Sequence, residues 1–261
     1  MKLYPKNTLF GLRYKQWTYL EAFAYCLKGI MKEHPFFLRY YEKVATKAFV
    51  KKWLKRDEKE SYFDFKGVKL PDVSSSWEKS NTLRIVFDDV LMVPCFFNDN
   101  HEKSIVNFVD PYMNEGPYGY IDGDFDVTVK KNDVVIDVGA WIGDFSAYAV
   151  SKGATAYAFE PVNETCQLLS RTCALNNVNG GGGVIYPVKK GLGDRECELD
   201  IYLSKECSGG NSILTTGNTS EKITLTTLDR FVEERKLERV DFIKADIEGA
   251  ERDMLRGACN T

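Results

Sequence analysis

Carboxylate residues stand at the ends of three apolar runs in the second half of the chain. Asp137 follows VVI, and Glu160 follows AYAF 23 residues later. Asp246 and Glu248 follow VDFIKA in the same way. A carboxylate at the end of a strand can accept two hydrogen bonds from a ribose diol, and it can also attract a cationic group. The spacing therefore points to a site for a ligand that carries a ribose and a positive charge.

The glycines after Asp137 separate two kinds of nucleotide cofactor. A dinucleotide fingerprint reads G-x-G-x-x-G, and its glycines and helix end receive a pyrophosphate. Here Asp137 stands two residues before Gly139, where the first glycine should be, so its carboxylate would repel a pyrophosphate. The same carboxylate suits the ammonium group of S-adenosylmethionine, which also carries a sulfonium and a ribose. An NAD-type oxidoreductase is therefore disfavoured. The alternative that the residues leave open is a doubly wound domain whose acids are only solvated loop residues.

Strands and helices alternate from residue 131 onward, and they predict how the acids are positioned. This alternation indicates an α/β fold, in which a parallel sheet is covered by helices on both faces. In such sheets ligands bind outside the carboxyl ends of the strands, where the acids lie. The predicted strands are Val134–Asp137, ATAYAFEP, VIYPV and VDFIKAD; the predicted helices start at about Asp144, cover Val162–Asn176 and Leu228–Leu237, and begin in GAERDMLRG.

The first 60 residues are basic and aromatic, unlike the rest of the chain. They hold 14 Lys and Arg against 6 Asp and Glu, a net charge of +8, whereas residues 61–261 carry a net charge of -11. Apolar residues recur from Phe37 to Trp53 at helical spacing, and a basic row runs from Arg39 to Lys55. This pattern predicts an amphipathic basic helix. Its charged face is either simply solvated, or it approaches an anionic glycan or, as a peripheral membrane contact, an anionic lipid surface.

Three segments divide the chain: a basic helical extension at 1–60, a connecting region with short strands at 61–130, and a cofactor-binding domain at 131–261. No stretch approaches the roughly 18 apolar residues of a membrane span. Lys and Arg interrupt the first apolar runs, which argues against a secretory signal. Seven scattered cysteines without C-x-x-C indicate reduced thiols in the cytoplasm, and the two histidines suggest no metal site. The acidic second half disfavours nucleic acid as a partner.

Five motifs in the second half of the chain resemble one known family. They are VVIDVGAWIGDFS, YAFEPVNETCQLL followed by ALNN, the turn GLGD, TLDRF and VDFIKADIEGAE. Over about residues 115–258 they resemble the FkbM-type family of S-adenosylmethionine-dependent methyltransferases. The resemblance implies a Rossmann-like class I methyltransferase fold with S-adenosylmethionine as cofactor. It also implies O-methylation of a hydroxyl on a sugar, a glycan or a small natural product.

The resemblance also implies roles for individual residues around the cofactor. Glu160 would bind the ribose, and Asp194 would lie near the adenine. Asp246 would lie near the transferred methyl group, and Tyr118 in EGPYGY would close over the cofactor. The methionine end would be held by Asp137, Gly139, Ala140 and Gly143.

Methyl transfer needs an acceptor oxygen aligned with the methyl–sulfur bond and a base near its proton. No histidine follows residue 101, so the candidate catalytic bases are Asp246 and Glu248. Lys244 is a third possibility, although its place within a strand favours a structural role. Two assignments stay open. Trp141 either packs under the sheet or lines the substrate pocket. Ser208–Ser212 is either a mobile lid or an ordinary loop.

The sequence departs from the resembled family after the fourth predicted strand. The family sheet continues with a fifth strand and a terminal strand pair, for which the residues after LRGACNT leave no room. We therefore expect a sheet without its last strands, whose free edge is covered by residues 62–130 or left open by truncation. An uncovered edge invites pairing with another chain. The alternative function is then a catalytically impaired domain that binds cofactor or a partner without turnover.

Overall fold

The computed structural model describes residues 54–56, 61–65, 67–71, 120–122, 125–177, 183–203, 211–214 and 219–261. The chain divides into two compact units, residues 1–55 with 83–127 and residues 56–82 with 128–261. The helix predicted from Phe37 lies outside the described residues. Its basic row predicts a helix as far as Lys55, whereas Leu54–Arg56 is a strand, β1. The predicted C-terminal end of this helix is therefore wrong. The apolar repeat that would let a helix pack stops at Trp53, before the strand begins.

Two short hairpins lie in the connecting region. The first consists of β2 (Ser61–Phe65) and β3 (Val68–Pro71), which pair antiparallel around Gly67. The second consists of β4 (Tyr120–Asp122) and β5 (Phe125–Val127), which also pair antiparallel and belong to the other unit.

Strands and helices alternate over residues 134–256 as predicted, except that four successive strands fall within residues 185–226. In chain order they are β6 (Val134–Val138), α1 (Asp144–Ser151), β7 (Thr155–Phe159), α2 (Asn163–Asn176), β8 (Ile185–Val188), β9 (Gly191–Leu192), β10 (Cys197–Tyr202), β11 (Ser220–Thr226), α3 (Leu228–Arg235), β12 (Phe242–Ala245) and α4 (Glu251–Arg256). Among the described residues, no helix has both the length and the apolar character to cross a membrane.

Four of these strands form one parallel sheet, in the order β12-β6-β7-β8. The central strand β6 is apolar because helices cover both of its faces. Ile136 and Val138 pack against α3 and α4, while α1 lies on the opposite face, where Ser146 contacts Asp137. The mixed α/β fold with a parallel sheet is therefore confirmed. The carboxyl ends of β12, β6 and β7 meet at one edge of this sheet.

A small second sheet, which the sequence analysis did not predict, follows β8. In it β10 pairs antiparallel with β11, and β11 pairs parallel with β9. Its apolar residues Ile201, Ile223 and Leu225 are buried together with Val162. Because Val162 stands between β7 and α2, this cluster brings the second sheet to the carboxyl edge of the parallel sheet.

The β2–β3 hairpin packs on α1 and α2 rather than along the outer edge of β12. Asn176 on α2 fixes it, since Nδ2 donates to the Lys69 carbonyl at 2.7 Å and Oδ1 accepts from the Lys69 N–H at 3.1 Å. Where the structure describes residues 62–130, none of them therefore pairs with β12. In the described part of the chain β12 has β6 as its only strand neighbour.

Candidate active site

An open cleft lies at the carboxyl edge of the parallel sheet, where this type of fold binds its ligands. The empty space in it is about 660 Å³ with the open mouth included. The ends of β6, β7 and β12 form one side, and the small second sheet forms the other. The lining residues with functional groups are Trp141, Glu160, Asn211, Ser212, Asp246 and Glu248; the apolar wall includes Val162, Leu192, Ile201, Ile213, Ile223 and Leu225.

Glu160, after the end of β7, presents a carboxylate to the cleft that neighbouring donors hold in place. Its Oε2 accepts a hydrogen bond from the Trp141 N–H at 3.0 Å. Its Oε1 accepts from the Val162 N–H at 2.9 Å and from Thr165 Oγ1 at 2.8 Å. Burial raises the pKa of Glu160 to about 7, although these hydrogen bonds oppose the shift. Each carboxylate oxygen can accept two hydrogen bonds, so Oε2 keeps the capacity to accept one from a ligand hydroxyl.

The raised pKa of Glu160 makes the stability of the fold depend on pH near neutrality. Because the folded-state pKa of about 7 exceeds the usual 4.5, folded Glu160 holds a proton that the unfolded chain has released, and stability falls as the pH rises through 7. Burial raises the pKa of Asp144 to about 6, which acts in the same direction. We expect the free energy of unfolding to be lower at pH 8 than at pH 6 by on the order of 1 kcal/mol, a few degrees in Tm. Thermal melts of the wild type at the two pH values check this. Glu160→Gln should show a smaller difference in Tm between pH 6 and pH 8. Equal wild-type melting temperatures at the two pH values would contradict the prediction.

The turn after β6 is tight, as predicted, and depends on Gly139, whose φ is +73°. The N–H groups of Gly139 and Ala140 both donate to the Phe159 carbonyl, at 3.1 and 2.9 Å. A Cβ at Gly139 would stand 2.1 Å from the Asp246 carbonyl oxygen, so a side chain here would drive the β6 and β12 turns apart. Gly139 lines the cleft, whereas Ala140 is buried inside the turn and is not part of the lining.

Asp137 lies beneath this turn and does not line the cleft, although the sequence analysis expects its carboxylate to face the cofactor. The side chain is fully buried. Its Oδ2 accepts a hydrogen bond from Ser146 Oγ at 2.6 Å, and its Oδ1 lies 3.3 Å from Lys244 Nζ. Side chains alternate in direction along β6, which turns Asp137 toward α1.

Lys244 supports the same turn from β12. Its Nζ donates to the Gly139 carbonyl at 2.7 Å in addition to its ion pair with Asp137. Burial opposes the charged form, but the carboxylates of Asp137, Asp144 and Asp246 outweigh it and raise the pKa of Lys244. The Lys244 ammonium is thus a buried charge that stabilises the turn. This agrees with the structural role that its place within a strand favours.

Asp246 and Glu248, the two candidate bases, both line the cleft on the turn after β12. Glu248 has a φ of +53°, a left-handed conformation that is uncommon for residues other than glycine. Partial burial and the neighbouring carboxylates of Asp246 and Glu251 raise the pKa of Glu248. A raised pKa makes a carboxylate a better proton acceptor at neutral pH. The structure therefore gives Glu248 a property of a general base that the sequence did not reveal.

Glu251 holds this turn in shape, a role that the motif DIEGAE alone did not reveal. Its Oε1 accepts hydrogen bonds from the N–H groups of Ile247 at 3.0 Å and Gly249 at 3.3 Å. These donors lower the pKa of Glu251 although partial burial opposes the shift. The carboxylate thereby stabilises the backbone on either side of Glu248.

Replacing Glu251 by alanine is expected to loosen the turn, because two backbone N–H groups lose their acceptor. We expect a loss of about 1 to 2 kcal/mol of stability, as for the loss of a helix cap. The matched control is Asp253→Ala, which removes an exposed carboxylate of the same helix whose partner is Arg256. Thermal melts should show a clearly lower Tm for Glu251→Ala than for Asp253→Ala; the same Tm for both would refute the role of Glu251.

The remaining predicted cofactor residues lie outside the cleft or outside the described residues. Gly143 has a φ of +84° at the start of α1 and packs against Leu169. Asp194 is exposed, lies 3.7 Å from the Arg195 guanidinium, and does not line the cleft. Tyr118 is outside the described residues.

Three residues that line the cleft had no definite place in the site predicted from the sequence. Trp141 lines the cleft, in a left-handed conformation with a φ of +50°. Asn211 and Ser212 line it as well, and Ser212 exchanges backbone hydrogen bonds with Tyr202 at 3.0 and 3.1 Å. The alternating apolar residues of β10 and β11 were the pattern that could have revealed this wall.

Within the described ranges, no group of three or more His, Cys, Asp and Glu residues is placed to hold a metal ion.

Comparison with known proteins adds a family and three relatives. Residues 137–261 match the family model "Methyltransferase FkbM domain". "Methyltransferase 1" of Beauveria bassiana is 28% identical over 162 residues, which cover 53% of this chain and 64% of that protein. "Hexuronic acid methyltransferase AglP" of Haloferax volcanii is 27% identical over 133 residues, covering 50% of this chain and 52% of that protein. A crystal structure of methyltransferase FkbM from Methylobacillus flagellatus KT has a TM-score of 0.36 and 23% identity, and the match covers 49% of this chain and 29% of that chain. The chain thus spans between 52% and 64% of the lengths of the two curated relatives.

Proposed function

We propose that the chain, whose residues 137–261 match the FkbM methyltransferase family, is an S-adenosylmethionine-dependent O-methyltransferase acting on a sugar or natural-product hydroxyl. One observation carries the proposal: Glu160, Asp246 and Glu248 converge on one cleft at the carboxyl edge of a Rossmann-like sheet. This is the place where open parallel sheets bind nucleotide-type ligands.

The lining of the cleft fits the chemistry of S-adenosylmethionine. Glu160 would accept a hydrogen bond from a ribose hydroxyl through Oε2, with a carboxylate already oriented by Trp141 and Val162. The apolar wall around Ile223 and Leu225 offers a surface for a flat base such as adenine. Carboxylates at the mouth favour a cationic ligand over a pyrophosphate, which supports this cofactor over NAD. Asp137 and Gly143 support the methionine end of the site from below, through the turn they shape.

When bound, S-adenosylmethionine would supply an activated methyl group. The chain's own contribution is to position an acceptor hydroxyl and to take up its proton. Glu248 is the proposed base, because it lines the cleft and its pKa is raised toward the working range. Asp246, next to the Gly139 turn, would add negative charge near a cationic group. Trp141 and Asn211 complete the polar and aromatic part of the wall.

The class of acceptor is proposed from the relatives and from the charge of the N-terminal residues. The Haloferax volcanii relative is a hexuronic acid methyltransferase, and the Sordaria araneosa relative is "Methyltransferase sdnD". Residues 1–60, with their net charge of +8, are proposed to approach an anionic glycan or lipid surface. The scattered cysteines support a cytoplasmic place of action.

A transfer assay tests this proposal. The purified chain is incubated with S-adenosylmethionine labelled on its methyl group and with a panel of hexuronic acids, neutral hexoses and their glycosides. Label should appear in an acceptor, and alkali-stable product would indicate an ether rather than an ester. Binding of the cofactor without transfer to any member of the panel would instead favour the impaired, binding-only alternative.

A further inference from the structure

Lys244 joins the two turns that form the parallel-sheet side of the cleft, and it does so from below. Lys244 is only 7% exposed and is not part of the cleft lining. Its Nζ lies 2.7 Å from the Gly139 carbonyl oxygen and 3.3 Å from Asp137 Oδ1. The parallel register of β12 and β6 sets Lys244 directly opposite Asp137, so one ammonium serves both contacts.

The charges around this ammonium are mostly negative. Asp137 on β6, Asp144 at the start of α1, Asp246 after β12 and Glu160 after β7 all act on it electrostatically. Removing the ammonium would leave Asp137, whose exposure is 0%, as a buried carboxylate without a cation. Such a buried charge without a cation is costly, and opening the turn above it would relieve the cost.

We propose that Lys244 is a positioning residue of the donor site: it fixes the Gly139 carbonyl, and with it the turn against which S-adenosylmethionine binds, while it compensates Asp137 beneath that turn. The inference rests on the proposed function and adds to it a residue that does not touch the ligand. Lys244 acts through Gly139, which lines the cleft, and Gly139 in turn packs on the Asp246 backbone. A change in the Gly139 turn would therefore also displace the turn after β12, which carries Asp246.

The test is calorimetric titration of the full chain with S-adenosylhomocysteine at pH 6 and pH 8. Lys244→Met is compared with Lys222→Met, which removes an exposed lysine of β11 that is not part of the cleft. We expect Lys244→Met to bind about tenfold more weakly at pH 8, the scale of one charged hydrogen bond. Lys222→Met should match the wild type.

The pH trend separates positioning from general destabilisation. Wild-type affinity should rise from pH 6 to pH 8 as Glu160 ionises. In Lys244→Met this rise in the association constant should be smaller, because Lys244 is one of the groups that hold down the pKa of Glu160. Wild-type affinity together with the wild-type pH trend in Lys244→Met would overturn the proposal.

A second comparison covers the case in which Lys244→Met does not fold. Asp137→Asn keeps the hydrogen bond from Lys244 to Gly139, whereas the double variant Asp137→Asn/Lys244→Met lacks it and leaves no charge at either position. The double variant should bind S-adenosylhomocysteine about tenfold more weakly than Asp137→Asn; equal affinities would overturn the role of Lys244. Failure of the wild type itself to bind would instead refute the proposed function, and with it the inference that rests on it.

Discussion

Replacing Glu160 by glutamine is expected to weaken the binding of S-adenosylhomocysteine about a hundredfold at pH 8. The carboxylate is the proposed acceptor for a ribose hydroxyl, and a hydrogen bond to a charged acceptor contributes about 1.5 to 3 kcal/mol. Glutamine keeps the shape but offers one oxygen and replaces the other by an amide donor. That donor would oppose the Trp141 or Val162 N–H group that now holds Glu160. Calorimetric titration measures the loss.

The matched control for this variant is Glu164→Gln, an exposed glutamate in the first turn of α2 that is not part of the cleft. It should bind like the wild type. Because the pKa of Glu160 is about 7, wild-type affinity should increase between pH 6 and pH 8, and Glu160→Gln should show no such increase. Wild-type affinity in Glu160→Gln at pH 8 would remove Glu160 from the site.

Replacing Glu248 by glutamine should lower kcat by about a hundredfold or more while leaving the affinity for S-adenosylhomocysteine within a fewfold of wild type. General-base catalysis typically contributes 10²- to 10⁴-fold, and glutamine cannot take up the acceptor proton. The label-transfer assay with the acceptor found in the panel measures kcat, and calorimetry measures affinity. Wild-type kcat should fall at low pH as Glu248 is protonated, and this limb should be missing from the variant.

Two comparisons keep the Glu248 prediction specific. Glu238→Gln, at an exposed position between α3 and β12, should leave both kcat and affinity unchanged. Asp246→Asn should affect affinity for the cationic S-adenosylmethionine more than for neutral S-adenosylhomocysteine, since its proposed effect is electrostatic. If Asp246→Asn abolished turnover while Glu248→Gln kept it, the base would be Asp246.

The parallel sheet could be predicted from the sequence because its strands are short apolar runs that end at polar residues or glycine. Val134–Val138 is buried on both faces, so its apolar residues run on instead of alternating, and Asp137 and Gly139 mark its end. The positions of Glu160, Asp246 and Glu248 at one cleft followed from the same logic, since parallel strands bring their carboxyl ends together.

The details that escaped prediction depend on which way a side chain turns and on contacts between distant segments. Asp137 was expected in the cleft, but strand alternation turns it toward Ser146 and Lys244. The wall from β10 and β11 alternates, with charged residues such as Glu198 and Lys222 on its exposed face, but the segment between the two strands separates them in the sequence and hides their pairing. The role of Glu251 depends on two backbone N–H groups, which no residue pattern displays.

Calorimetric titration of the wild-type chain with S-adenosylhomocysteine, beside an identical titration with NAD, tests the central claim most directly. If the cleft at the ends of β6, β7 and β12 is a methyl-donor site, S-adenosylhomocysteine should bind at one site per chain with a micromolar Kd, equivalent to about -8 kcal/mol, and NAD should not bind. A folded chain that binds neither compound, or that binds NAD instead, would contradict the account.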